Sequence, residues 1–435
     1  VGLLLRPFRI PEYVWALAAA ALLPLLGAVP FDLALGAVAE GRDVYLFLVG
    51  MMVLAELARR EGLFDWLALY AVRHAGGSGR RLFDLVFLVG TLVTVFLSND
   101  ATAVVLTPAV YAACKAARAN PLPYLFVCAF IANAASFVLP ISNPANLVVY
   151  GSQMPPLADW LQRFTLPSLA AIGLTYLTLR LSQREALRQP LRADIAPQAL
   201  GSGARLTGAG ILLTALVLML ASALHADLGL PTFIAGLATA ALIHLKQRLS
   251  PLPVLRHVAW GVLPMVAGLF VLVEGLALSG AIDALAQALL RLASDSAGGA
   301  LWGAGIVAAL ASNVINNLPA GLIAGSVGQI ADLPAQTAGA LLIGVDLGPN
   351  LSITGSLATL LWLAVSFGFS LYVAYISDYN ATYGSLSAIV VFLMWLFLSA
   401  YGVLLGALLN AEIERQQSDN DGKETQPQPG SCAEP

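Results

Sequence analysis

Charge is what this sequence has least of: of 435 residues, only 11% are Asp, Glu, Lys or Arg. A soluble domain uses about 25% to keep its surface wet, so the outside of this chain must face lipid. Cysteine is scarce as well. Cys114, Cys128 and Cys432 are too few for a disulfide framework and fit no zinc spacing. Basic charge is not in excess: the net charge is -3 and the pI is near 5.8, which argues against nucleic-acid binding. The one Gly-Lys pair, Gly422-Lys423, has no upstream glycine, so no phosphate loop is present and ATP hydrolysis by that route is excluded. H-E-x-x-H and G-x-S-x-G are missing too, which removes the usual residues of a membrane hydrolase. The chain is therefore not expected to be an enzyme, and no cofactor or metal is expected.

What is present is apolar. Hydrophobic residues make up 59% and the mean hydropathy is +0.81, as in an all-α polytopic membrane protein. Apolar stretches near 14–30, 44–58, 82–97, 101–114, 123–150, 158–179, 206–224, 230–245, 256–279, 300–311, 314–327, 335–366 and 386–410 are candidates to enter a hydrocarbon core about 30 Å thick. The first, Val14 to Pro30, lacks a following cleavage pattern and is expected to be a retained helix. Arg180, Arg184, Arg188, Arg192 and Arg205 crowd into 180–205, which the positive-inside rule puts in the cytoplasm, together with Arg6, Arg9 and the N-terminus. Residues 416–435 have the composition of a disordered tail.

Basic residues flank 82–118 on both sides: Arg80 and Arg81 before it, Lys115 and Arg118 at its end. A segment that enters from the cytoplasm and returns there satisfies both, so 82–118 is predicted to be a re-entrant hairpin with Ser98-Asn99-Asp100 at its tip. A polar tip at that depth survives only against protein or a water-filled cavity.

The chain also repeats itself. Glu56 and Asp65 find counterparts in Glu274 and Asp283, 218 residues on; Ser98-Asn99 recurs as Ser312-Asn313 after 214; LPISNPANL at 139–147 is echoed by LSITGSLATL at 351–360 after 212. The expected organisation is a first repeat over 1–179, an Arg-rich cytoplasmic linker over 180–205, and a second repeat over 206–366 with its own hairpin at 300–327. Because the linker is cytoplasmic, the second copy is expected upside down, and no Lys or Arg flanks its hairpin near 295–300 or 328–335. Inverted repeats with broken helices at mid-membrane are the mark of secondary transporters.

Four polar clusters fall on these landmarks: Ser98 to Thr102, Ser142 to Asn146, Ser312 to Asn317, and Asp346 to Ser356. The first and third are hairpin tips. Pro140 and Pro144 interrupt the second, and Gly348, Pro349 and Gly355 the fourth. A helix break presents unpaired N–H and C=O groups that bind solutes or ions. Ser98, Asn99, Thr102, Ser142, Asn143, Asn146, Asn313, Asn316, Asn317, Thr354 and Ser356 add uncharged donors and acceptors. Such a site suits a small, neutral, hydroxyl-bearing solute. The alternative, that these side chains only glue helices together, is weakened by their recurrence in both repeats. Asp100 and Asp346 are the carboxylates within the clusters. An ionised aspartate at the bilayer centre costs about 3 kcal/mol on insertion scales, so both are candidate proton carriers. Glu56 and Glu274 fit scaffold roles better. His74, His225, His244 and His257 lie near span ends, where solvated side chains are expected, and Cys114 and Cys128 read as small core residues.

These motifs carry a resemblance. DVYLFLVGMMVLAELARREGLFDWLA at 43–68, FLSNDATAVVLTPAV at 96–110, LPISNPANLVVYG at 139–151, SNVINNLPAG at 312–321 and IGVDLGPNLSITGSLATLLW at 343–362 resemble the ArsB arsenite/antimonite efflux transporters of the ion transporter superfamily, from about residue 10 to residue 362. The resemblance implies proton-driven export of As(III) and Sb(III) across the bacterial inner membrane, and a hairpin and a broken helix in each repeat. It also implies a transport domain moving against a scaffold and, in some members, a cytoplasmic ATPase, ArsA. A homodimer remains open, as does a sodium/proton antiporter or a sodium-coupled carboxylate carrier of the same superfamily. Residues 367–416 instead resemble the last part of BrkB/YihY-like membrane proteins, which makes 367–415 a fused C-terminal membrane segment.

A carrier must release its cargo, and thiolates hold soft ions tightly. Replacing Cys114, Cys128 and Cys432 together is therefore expected to leave arsenite efflux largely intact in cells that express the variant well; loss of efflux would contradict this.

Overall fold

The computed structural model describes residues 10–191, 199–248, 250 and 252–351. These are helical, without a β-strand among them; the single β-bridge joins Ser78 and Pro190. Among the described residues, four helices are long and apolar enough to cross a membrane, and a fifth span is formed if the bent pair Val262–Leu278 and Ala281–Ser294 counts as one. The chain is an all-α polytopic membrane protein.

Helix α1 (Glu12–Leu25) stops earlier than the apolar run Val14–Pro30 suggests, because Pro24 lies in its last turn and Gly27 turns left-handed (φ 71°). Pro30 then starts α2 (Phe31–Glu40), a helix the run of hydropathy does not separate. α3 (Arg42–Arg60) and α4 (Leu63–His74) follow, joined at Gly62 (φ 73°). The same design returns at α13 (Val262–Leu278) and α14 (Ala281–Asp295), joined at Gly280 (φ 78°). Gly62 and Gly280 are 218 residues apart, the spacing of the Glu56/Glu274 landmark. α4 and α14 were not among the expected spans; each follows a glycine in the left-handed region, which only glycine enters freely. α14 exposes Asp283 and buries Ile282 and Ala286 against the partner helices.

A hairpin comes next in both stretches. α5 (Gly79–Phe96) is capped by Ser78 and α15 (Ala297–Ile315) by Ser296, each hydroxyl accepting a backbone N–H three residues on. The first hairpin returns through a π-helical turn, Ala101–Leu106, into α6 (Thr107–Ala116). The second breaks at Asn316 (φ 76°, ψ 158°), inside the Ser312 to Asn317 cluster, and returns as α16 (Asn317–Ile330). That backbone conformation is nearly confined to glycine.

The broken helices close each copy. The stretch 123–150 is α7 (Leu122–Ala134), a turn at Pro140–Ser142, and α8 (Pro144–Tyr150). Its counterpart is α17 (Ala335–Leu347), followed by the turn Gly348–Leu351. Between α8 and α13 run α9 (Leu157–Ser182), α10 (Ser202–Ala223), α11 (Gly229–Gln247) and the short α12 (Leu252–His257).

The linker begins later than 180. Arg180 is still in α9, where it reaches Asp84 (3.2 Å) and donates to the Arg80 carbonyl (2.9 Å). Beyond it, Leu187 is buried and Leu191 N–H bonds Gly77 O (3.0 Å), so 183–191 lies as a strap across the base of the first hairpin. Glu185 and Arg188 are exposed on it. His74, His225 and His257 are exposed, but both ring nitrogens of His244 are buried and unpartnered, unlike a solvated interfacial side chain.

Inside lipid, helices associate through close packing of small residues and polar bonds. α3 and α11 show both. Asp43 accepts the Gly229 N–H at one end (2.7 Å), Glu61 accepts from Gln247 at the other (2.9 Å), and Gly50 meets Gly236 and Thr232 between them. Like ends meet like ends, so the two helices run parallel. α1 and α13 pair the same way, with Ala16 against Gly268 and Leu23 against Gly275. Each pair joins a helix before the linker to one after it.

A Cβ on Gly236 would stand 2.7 Å from the Gly50 carbonyl, whereas one on Gly173 would meet nothing within 4 Å. Gly236→Leu is expected to cost about 1–3 kcal/mol, the usual cost of overpacking, and to lower the melting temperature in detergent. Gly173→Leu should leave it unchanged.

Candidate functional site

The two breaks meet. Asn143, the N-cap of α8, donates from Nδ2 to Asp346 Oδ1 near the end of α17 (2.8 Å), and both residues are buried. Asn143 reaches that position because its backbone is extended after the Pro140–Ser142 turn, while its own Oδ1 caps Ala145 N–H (3.0 Å). The second carboxylate oxygen, Asp346 Oδ2, is buried with no hydrogen-bond partner among the described residues, and Asn146 Oδ1 is in the same condition. Unpaired buried acceptors are costly, and an unexplained one in a native core commonly marks a place where a proton or ligand is taken up. A second bond crosses between the copies: Asn133 Nδ2 donates to Asn350 Oδ1 (2.8 Å), and Asn350 Nδ2 returns to Phe130 O (3.0 Å).

Much of the predicted polar set is occupied in holding the breaks open. Asn146 Nδ2 faces three carbonyls freed at the break, Ser136 O (2.9 Å), Pro140 O (3.2 Å) and Leu139 O (3.3 Å). Ser142 Oγ donates to Val95 O (3.0 Å), fastening the break to the first hairpin. Within that hairpin Thr102 and Thr94 share a hydroxyl bond (2.8 Å), Ser98 Oγ accepts from Ala101 N–H (3.1 Å) and Asn99 Oδ1 from Asp100 N–H (2.9 Å). Ser312 Oγ bonds Val345 O, which fastens the second hairpin to α17. Behind the first break, Trp160 donates to Phe137 O (3.2 Å) and packs on Phe164 with ring centroids 4.5 Å apart.

The predicted residues therefore divide. Ser98, Asn99, Thr102, Ser142, Asn143, Asn146 and Asp346 are buried, Asn313 and Asn317 half-buried, and Asn316 exposed at the second tip. Asp100 is exposed at the first tip, and its carboxylate has no partner among the described residues. Thr354 and Ser356 lie outside the described residues. Glu56 forms a bidentate pair with Arg59 (2.7 Å for each oxygen) at the end of α3, away from the centre, as a scaffold role requires. Asn133 and Asn350 were not singled out. An amide inside the otherwise apolar α7, with a second one beside Pro349, was the signal. No Lys or Arg belongs to the bonded set around Asp346.

Removing the Asn133–Asn350 bond should cost about 1 kcal/mol, since each single alanine strands a half-buried partner. The double mutant N133A/N350A is expected to cost less than the sum of the singles by at least about 0.5 kcal/mol, measured by unfolding in detergent. Strict additivity would show that the bond is not made.

A family model described as citrate transporter, CitMHS, matches residues 2–345, and one described as virulence factor BrkB matches 344–430. The two matches meet at 344–345, upstream of the 362–367 boundary that the motifs suggest. An arsenical pump membrane protein of Escherichia coli is 28% identical over 340 residues, covering 73% of this chain and 77% of that protein. One of Yersinia enterocolitica is 29% identical over 337 residues, with the same coverage. An uncharacterized transporter of Mycobacterium tuberculosis is 27% identical over 338 residues, covering 74% and 78%.

Proposed function

The chain belongs to the CitMHS citrate transporter family, and from that premise we propose that this membrane transporter exports arsenite and antimonite from the cytoplasm in exchange for protons. The observation that carries the reading is the Asn143–Asp346 bond: a buried carboxylate, half unpaired, where two broken helices meet among neutral amides and hydroxyls. Arsenous acid is neutral near pH 7 and carries three hydroxyls, so it asks for donors and acceptors without charge. The names of the Escherichia coli and Yersinia enterocolitica relatives support the same cargo. Asp346, and Asp100 at the exposed tip, would take up and release the proton.

The family's citrate name favours a second reading, a carboxylate carrier. A polycarboxylate needs cationic partners in a desolvated site, yet the bonded set around Asp346 contains none and is itself acidic.

Orientation follows from the parallel pairs. Arg59 and Arg60 end α3; Lys246 ends α11, with Arg248 just beyond. Parallel packing puts all four at one end, which the positive-inside rule assigns to the cytoplasm. α13 starts just past Arg256 and His257 and would leave from that side. α3 and α13, equivalent by sequence, would then run in opposite directions, as inverted repeats do. In this arrangement the N-terminus is cytoplasmic and the hairpins enter from opposite faces.

Asp346→Asn and Asp100→Asn keep shape and remove titration. In everted vesicles, arsenite uptake driven by an imposed pH gradient is expected to fall at least tenfold in one or both, with the protein still folded. Unchanged uptake in both would sink the proton assignment, and uptake of citrate in place of arsenite would sink the cargo.

A further inference from the structure

Away from the polar centre, α10 and α11 enclose a groove of about 620 Å³. The two helices run antiparallel, joined by the short turn after Ala223, and Gly210 lets them approach at Thr239. Ala209, Gly210, Ala235 and Ala238 line it with small residues, while Leu213 and Leu242 add long exposed ones. The hydroxyls of Thr214 and Thr239 donate back into their own helices, to Gly210 O (2.7 Å) and Ala235 O (2.8 Å), and leave the groove no donor of theirs. From Leu206 to Val217 it spans twelve residues, eleven rises of 1.5 Å or about 16 Å. That is close to half of a hydrocarbon core about 30 Å thick, the depth of one leaflet.

One end of the groove is basic. Arg205 precedes Leu206, Lys246 lies one turn past Leu242, and Arg248 follows the end of α11. Gly203 against Gln247 shows that these ends are adjacent. All three basic residues are exposed. Arg205 Nε bonds Leu200 O (3.0 Å), leaving its remaining N–H groups outward; Lys246 and Arg248 have no partner among the described residues. The nearby acid, Glu61, takes a hydrogen bond from Gln247 (2.9 Å).

We propose that this groove is a binding site for an anionic phospholipid, one acyl chain lying along the small residues and the headgroup phosphate resting on Lys246, Arg248 and Arg205. Charge complementarity favours a lipid over a second copy of the chain. An isologous contact across this face would bring the same basic end of both copies together, whereas a phosphate neutralises it. The site fixes the α10–α11 pair to the leaflet on the Lys246 side.

The test uses full-length protein in a neutral detergent, with melting temperature followed as phosphatidylglycerol or phosphatidylcholine is added. Wild type is expected to be stabilised by phosphatidylglycerol at concentrations at least tenfold below those needed for phosphatidylcholine. Lys246→Glu with Arg248→Glu should abolish that preference while keeping the response to phosphatidylcholine. Ala238→Phe, which fills the groove but leaves the charges, should weaken the phosphatidylglycerol response at least tenfold. Equal responses to the two lipids, or an unchanged preference in both variants, would overturn the proposal. So would efficient disulfide dimers in native membranes from Leu213→Cys in a chain otherwise free of cysteine, since a second copy would then occupy the groove.

Discussion

A broken backbone at membrane depth must find its hydrogen bonds within the protein, because lipid supplies none. Everything at the centre of this molecule follows from that constraint. Where Pro140 and Pro144 stop the helix, Asn146 gathers the freed carbonyls, Ser142 anchors the turn to the first hairpin, and Asn143 spans to Asp346 in the other copy. The repair is nearly complete. What it leaves over among the described residues is Asp346 Oδ2 and Asn146 Oδ1, two buried acceptors without a hydrogen bond.

The surroundings are built to hold that centre without large side chains. Gly344 and Gly348 of the second break lie against Gly305 and Ala309 of α15, and Gly325 of α16 against the Val148 carbonyl of α8. The hairpins and broken helices thus touch backbone to backbone, and serine hydroxyls pin the contacts at Val95 and Val345. α3 and α11 form a separate fixed element, clamped by Asp43 and Glu61 at opposite ends. Their bonds are within the pair, so Asp43 and Glu61 serve helix ends.

The composition made the membrane class legible, and the spacing of Glu56/Glu274 is matched by the left-handed glycines Gly62 and Gly280, which precede α4 and α14. Asn143 and Asp346 were legible as parts of polar clusters in apolar stretches. Their direct bond was not, because 203 residues separate them and no local pattern records a contact across the fold. Amphipathic α4 and α14 escaped a search for continuous hydropathy. The strap over 183–191 escaped for the opposite reason: its arginines suggested solvent, while the one residue that docks it, Leu187, is a single apolar side chain. The break at Asn316 falls at the far end of the predicted Ser312 to Asn317 tip, because Ser312 is still inside α15. Expectations for the fused segment 367–415 and the tail 416–435 fall outside the described residues.

A neutral, hydroxylated cargo exchanged for protons at a carboxylate is the central claim, and it makes one direct demand on living cells. The decisive measurement is arsenite accumulation in arsenic-sensitive bacteria expressing the full chain, with and without a protonophore. The account predicts low accumulation that rises to the level of cells lacking the protein once the proton gradient collapses. Low accumulation that persists after collapse would contradict proton coupling, and accumulation equal to that of empty cells throughout, in cells with abundant folded protein, would contradict arsenite as the cargo.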